Sequence, residues 1–113
     1  MTVKEIIATL QLTLVGGGQG MDKEVTGAYT SDLLSDVMGN INEGNVWITL
    51  QTHKNVMAIA SLRDASAVIL VKGLQPDVDM LEKANDEGIP VLVTELPAFE
   101  ISGKLYQLLK SHL

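Results

Sequence analysis

Ala67-Val68-Ile69-Leu70-Val71 is an uninterrupted apolar run. A strand with one wet face alternates polar and apolar residues, whereas a continuous run needs cover on both faces, as in a central parallel strand. Parallel neighbours cannot be joined by a hairpin and require crossover connections, so strands and helices should alternate around this run. They do. Val46–Leu50 reads as a second buried strand, carrying the single tryptophan, Trp47, and passing through Gln51-Thr52-His53 into an apolar helix over Lys54–Leu62. Beyond Val71, Lys72–Gln75 is a loop, and Pro76-Asp77 starts a helix whose buried stripe is expected to be Val78, Leu81 and Ala84. Gly88, with Pro90 behind it, stops that helix. Val91–Thr94 is the next strand, and Pro97 precedes a last helix over Phe99–Leu109.

The first third is less regular. Thr2 and Glu5 fit a capping box for a helix over Val3–Leu10, with Val3, Ile6, Ile7 and Leu10 on one face. Leu12–Val15 reads as a short strand and Glu24–Tyr29 as another, with Gly27 marking a bulge or close approach. Between them lies Gly16-Gly17-Gly18-Gln19-Gly20. A dinucleotide fingerprint places its third glycine five residues after the first. Counting from Gly16 or Gly18, that place is held by Met21 or Lys23, so the stretch is expected to be a mobile turn between two strands. Thr30, Ser31 and Asp32 are suitable N-caps for a short helix carrying Leu33, Leu34, Val37 and Met38. The 113 residues thus form one α/β domain in three layers, with a mostly parallel sheet and right-handed β-α-β crossovers.

Composition removes several function classes. With no cysteine, disulfides, thiolate zinc sites and cysteine-held iron–sulfur clusters are excluded. Eight basic residues against fourteen acidic ones give a formal charge of −6, and the cations are scattered, which argues against nucleic-acid binding. No apolar run approaches the ~20 residues that span a bilayer, and the N-terminus lacks a signal-peptide core, so a cytoplasmic protein is expected.

The order and wording of these pieces carry a resemblance. Val25–Met38, Asn45–His53 and Ala67–Phe99, with its Gly-x-x-Pro and Gly-Ile-Pro-Val, resemble DRTGG-domain proteins, which are similar to the N-terminal domain of HPr kinase/phosphorylase. The likeness spans about residues 25–109. It implies a small α/β regulatory domain, often attached to CBS domains or enzymes, that forms oligomers. Ser-Asp-Leu-Leu-Ser-Asp and Leu-Gln-Thr-His look like a stand-alone branch encoded near iron-only hydrogenase subunits. Two departures stand out: the usual Thr-Gly-Gly is Val71-Lys72-Gly73, and the usual Asp-Thr-Phe is Pro97-Ala98-Phe99.

Kinase chemistry needs G-x-x-x-x-G-K-[ST], and the nearest stretch, Ala98 to Leu105, lacks the first glycine and the hydroxyl. The expectation is a non-enzymatic regulatory module that self-associates as a dimer and binds a small anionic metabolite or nucleotide, with no cofactor and no metal. Ligands of open α/β sheets bind beyond the carboxyl ends of strands. That makes Thr30, Ser31, Asp32, Thr52, His53, Lys72, Gly73 and Thr94 the candidate ligand-binding residues. One alternative is a protein–protein adaptor for hydrogenase or other redox-enzyme subunits. Another is a small enzyme using His53 with Asp32 or Asp36, the two carboxylates being four apart on one helix face.

Overall fold

The computed structural model describes residues 1–112. Five helices and five strands follow in the order α1 (Val3–Leu10), β1 (Thr13–Gly16), β2 (Gly27–Thr30), α2 (Leu34–Asn40), β3 (Asn45–Thr49), α3 (Lys54–Leu62), β4 (Ala67–Leu70), α4 (Val78–Glu87), β5 (Val91–Val93) and α5 (Ala98–Lys110). The sheet runs β1-β5-β4-β3-β2. Strands β2 to β5 are parallel, and β1 lies antiparallel on the β5 edge.

Three crossovers step across the sheet in the same direction, and connections of one hand then lay their helices on one face. Val37 of α2, Val56, Met57 and Ala60 of α3, and Met80 and Ala84 of α4 pack there against Trp47, Val68, Leu70, Val91 and Val93. The other face is covered by Val3 and Ile6 of α1 and by Ile101 and Leu105 of α5, over Val46, Ile48, Ala67, Ile69 and Leu92. Every residue of β3, β4 and β5 is buried, which is why β4, β5 and the Val46–Ile48 centre of β3 read as unbroken apolar runs. Trp47 is core: it is fully buried, and its indole N–H donates to the Ser31 carbonyl at 2.9 Å. Met57 and Met80 are buried filler, with Met38 packed against the same cluster.

Four local expectations are corrected. Val78 is 75% exposed, and the stripe of α4 runs through Met80, half-buried Leu81 and Ala84. The helix starts at Val78, so Met80 and Ala84, four apart, are the positions aimed at the sheet. The strand expected at Glu24–Tyr29 is Gly27–Thr30, because Glu24 pairs instead with Thr2 and the Val25 N–H donates to the Met1 carbonyl at 2.8 Å. The helix expected to be capped by Thr30–Asp32 begins at Leu34 with Leu33 as its cap residue. Ser31 Oγ accepts the Leu33 N–H at 3.2 Å, forming a turn ahead of the helix.

The glycine stretch is the fourth. β1 and β2 lie at opposite edges of the sheet, so the chain between them must cross beneath it. Gly18–Gly20 forms a 3₁₀ turn packed against the end of α4. The Gly17 N–H donates to Asn85 Oδ1 at 2.8 Å, and Gln19 Nε2 donates to the Asn85 carbonyl at 2.8 Å. A Cβ at Gly17, which has φ +70°, would run into the Ile89 carbonyl, and one at Gly20 into the Gly88 carbonyl. The glycines are there for close backbone packing. Among the described residues no helix is long and apolar enough to cross a membrane.

Gly20→Ala is therefore expected to lower stability by about 2 kcal/mol or more, since a backbone carbonyl has to move. Gly39→Ala, at a helical position with open space around it, should raise stability by about 0.5–1 kcal/mol. Urea midpoints of the two variants against the parent check both signs.

Candidate functional site

Because β2, β3, β4 and β5 run parallel, Thr30, Thr49, Leu70 and Val93 close their strands at the same end of the sheet. Thr30–Asp32, Thr52-His53, Lys72-Gly73 and Thr94 all follow on that rim. The rim has two halves of different character.

On the β2–β3 half the polar groups are used internally. Asp32 Oδ1 accepts from Thr49 Oγ1 at 2.9 Å and from the Leu50 N–H at 2.7 Å, and Gln51 Nε2 donates to the Asp32 carbonyl at 2.9 Å. Asp32 thus clamps β3 to the loop after β2 and stands outside α2, so it shares no helix face with Asp36. Asp36 accepts the Tyr29 hydroxyl at 2.8 Å and the Asn40 amide at 3.2 Å. Thr30 Oγ1 and Ser102 Oγ lie 2.8 Å apart, a tie between β2 and α5. Thr52 Oγ1 donates to Asp77 Oδ1 at 3.3 Å while the Asp77 N–H donates to the Thr52 carbonyl at 2.9 Å, joining the starts of α3 and α4. His53 is the exposed residue ahead of α3, and its ring makes no cap bond. Among the described residues no hydrogen bond joins it to Asp32 or Asp36, and no three His, Asp or Glu side chains converge as a metal site.

The β4–β5 half is different. The chain leaving β4 turns to the α4 face and the chain leaving β5 turns to the α5 face. Adjacent parallel strands whose connections part in this way leave a crevice at their carboxyl ends, the usual ligand position in open α/β sheets. The two departing loops are stapled together: the Lys72 N–H donates to the Leu96 carbonyl at 3.0 Å and the Gly73 N–H to the Thr94 carbonyl at 2.9 Å. Both turn residues have positive φ, 59° at Lys72 and 74° at Gly73. The positive φ is what favours glycine at 73, and a Cβ there would in addition push aside the carboxylate end of the Glu95 side chain. Lys72, standing where the family pattern has glycine, holds a left-handed conformation that costs a non-glycine residue of order 1 kcal/mol.

Beside this staple opens a groove of about 750 Å³. Its floor includes Leu10, Val93 and Leu96, and its walls are the end of α1 and one flank of α5. Of the candidate residues, Gly73 and Thr94 line it; Thr30, Ser31, Asp32, Thr52, His53 and Lys72 do not. Thr9, Gln11, Glu95, Lys104 and Gln107 line it as well and were not singled out from the sequence. Glu95 is next to Thr94 and was within reach of that reasoning. The others come from α1 and α5, whose approach to β5 depends on strand order.

Two outcomes follow on the closed half. Asp32→Ala leaves the Leu50 N–H and the buried Thr49 hydroxyl without their acceptor and should cost about 1–3 kcal/mol by urea denaturation, with Asp32→Asn milder. The hydrogen bond to Asp36, with burial and the nearby negative charge adding to it, raises the Tyr29 pKa above its ordinary 10.0. The protonated phenol is the stabilised form, so its contribution is present below about pH 10 and is lost as pH rises through the folded value. Ultraviolet titration of the phenols should show one transition above the ordinary range, moved down by Asp36→Asn.

A family model for the DRTGG domain matches residues 5–108. Among solved structures, the CBS and DRTGG domains of the regulatory region of Clostridium perfringens pyrophosphatase, complexed with the activator diadenosine tetraphosphate, share this fold with a TM-score of 0.70 at 18% identity. The match covers 92% of this chain and 45% of that one, so the chain spans less than half of the pyrophosphatase regulatory region. No protein of curated function matches the sequence. With nearly its whole length covered by the family model, the chain belongs to the DRTGG-domain family.

Proposed function

We propose that this domain is a non-enzymatic regulatory module that binds a small anionic metabolite or nucleotide at the carboxyl rim of its sheet and associates with a second copy of itself. The observation that carries the ligand half is the parting of the β4 and β5 connections beside an open groove lined by Gly73 and Thr94. The rim groups of the β2–β3 half other than His53 are bonded within the fold and serve to hold the rim in shape. Support for a regulatory role comes from the family and from the pyrophosphatase regulatory region that shares the fold.

Self-association is supported by the opposite edge. β2 is a free sheet edge with the sequence Gly-Ala-Tyr-Thr, carrying none of the charges or prolines that usually block strand pairing. Beside it α5 presents Phe99 at 90% exposure and Tyr106 at 63%, flanking Gly103 and Ala28 in an apolar groove. Small residues between two aromatic walls let a second copy approach closely, and most soluble homo-oligomers are twofold dimers. The same exposed Phe99 is what favours the second reading, an adaptor docking on a redox-enzyme subunit. In either case a cytoplasmic setting with no bound cofactor is the proposal.

Light scattering of the parent and of Phe99→Asp tests the association: a dimer that becomes a monomer is the expected result. A parent that is monomeric at high concentration removes self-association and leaves Phe99 to a different protein. A thermal-shift screen over nucleotides, acetyl phosphate and sugar phosphates tests the sensor, because a ligand bound by the native state raises stability as RT ln(1 + [L]/Kd). No response anywhere in the screen counts against it.

A further inference from the structure

We infer that the groove beside β5 takes a monophosphorylated ligand whose other end is rich in hydroxyl groups, of the sugar-phosphate or nucleoside-monophosphate class; this rests on the ligand-binding reading above. The charged side chains lining the groove are Glu95 and Lys104, one of each sign. Among the described residues the ion pair within 4.0 Å is that of the Met1 ammonium with Glu24, so Glu95 and Lys104 share a groove without touching each other or another charge. Opposite charges left apart across an open space are complementary to a molecule lying between them.

Each end states its own requirement. Lys104 projects from the flank of α5 that faces α1, with Gln107 one turn on. An ammonium offers three donors and no acceptor, and suits a phosphate as a point charge. Glu95 is an acceptor only and needs donors from the ligand. Its backbone is held in place by the Gly73–Thr94 and Lys72–Leu96 hydrogen bonds, and its exposed carboxylate lies in the space that the missing Cβ of Gly73 leaves open. A carboxylate at the carboxyl end of a strand, reading vicinal hydroxyls, is a recurring solution in α/β sheets. Between the two ends, Leu10, Val93, Leu96 and Leu108 give an apolar floor for an uncharged ring, and Gln11, Gln75 and Gln107 offer amides of either polarity.

The number of cations sets the number of phosphates. Lys104 is the one cation among the described residues lining the groove, in a chain whose formal charge is −6. A second or third phosphate would lie toward Glu95 with no cation to meet it. The dinucleoside tetraphosphate in the pyrophosphatase structure is thus the wrong charge for this groove.

Isothermal titration of the full chain with adenosine monophosphate, ribose 5-phosphate, deoxyribose 5-phosphate, adenosine and diadenosine tetraphosphate distinguishes the possibilities. Lys104→Gln should weaken binding of the monophosphates at least tenfold, and Glu95→Gln should weaken ribose 5-phosphate tenfold while leaving its deoxy counterpart nearly unchanged. Lys83→Gln, on α4, is the control that removes a positive charge elsewhere. Binding by adenosine monophosphate alone assigns the ligand to nucleotides, and equal binding by ribose 5-phosphate assigns it to sugar phosphates; both support the inference. Tightest binding by the tetraphosphate, or monophosphate binding unchanged in both groove variants, overturns the inference while the sensor reading stands. No binding of any of the five by the parent overturns the inference, and the sensor reading falls with it only where the wider thermal-shift screen is silent as well. Thermal melts of each variant separate lost binding from lost fold.

Discussion

Everything in this fold depends on covering both faces of β3 and β4. A strand wet on one side can alternate, but Val46, Trp47 and Ile48 and then Ala67 to Val71 have no polar side to turn outward. Burying each such side chain is worth roughly 1.5–3 kcal/mol against exposure, so the helices have to be divided between the faces. Three crossovers supply α2, α3 and α4 to one face. Only the two ends of the chain remain for the other, and α1 and α5 close it. Helices from opposite ends of the fold thus share one face, and this brings Thr9 and Lys104, nearly a hundred residues apart in sequence, to the same groove.

The division of helices also divides the rim. Where successive connections leave toward the same face, as after β2 and β3, the loops lie against one another and their polar groups find partners: Asp32 with Thr49 and Leu50, Thr52 with Asp77. Where connections part, as after β4 and β5, backbone hydrogen bonds bridge the gap, the Thr94 hydroxyl accepts the Leu96 N–H at 3.2 Å, and the charged side chains of Lys72 and Glu95 stay exposed. The left-handed pair Lys72-Gly73 is the bridge. This is a tight turn with two left-handed residues, one a glycine that adopts the conformation freely and the other a lysine held there at some backbone cost. His53 apart, the exposed and unbonded rim side chains, Lys72 and Glu95, lie where the topology changes face.

Helix α5 joins the two proposed surfaces. Its buried residues Ile101 and Leu105 fasten it to the sheet. One flank, with Phe99, Gly103 and Tyr106, lies along the β2 edge, and the other, with Lys104 and Gln107, walls the groove beside β5. A ligand held by Lys104 and a partner held by Phe99 would therefore bear on one rigid element thirteen residues long. That arrangement suits a regulatory domain.

Much of the architecture was legible from the chain itself. Helix α1 with its Thr2 cap and helix α3 were readable to the residue, because apolar spacing and caps are local signals. The continuous run at Ala67 predicted a doubly covered parallel strand for the same reason. Where the reading failed, the deciding interactions were distant. Asp32 looks like a helix cap until β3 lies beside it, and Gly16–Gly20 looks like a free turn until the end of α4 is seen above it. Val78 looks apolar and buried until the sheet fixes which way α4 faces. The rim residues could be named from the sequence because strand ends are local features. Which half of the rim stays open follows from strand order and from the face each connection takes, and those are settled only when all the helices compete for the two sides of one sheet.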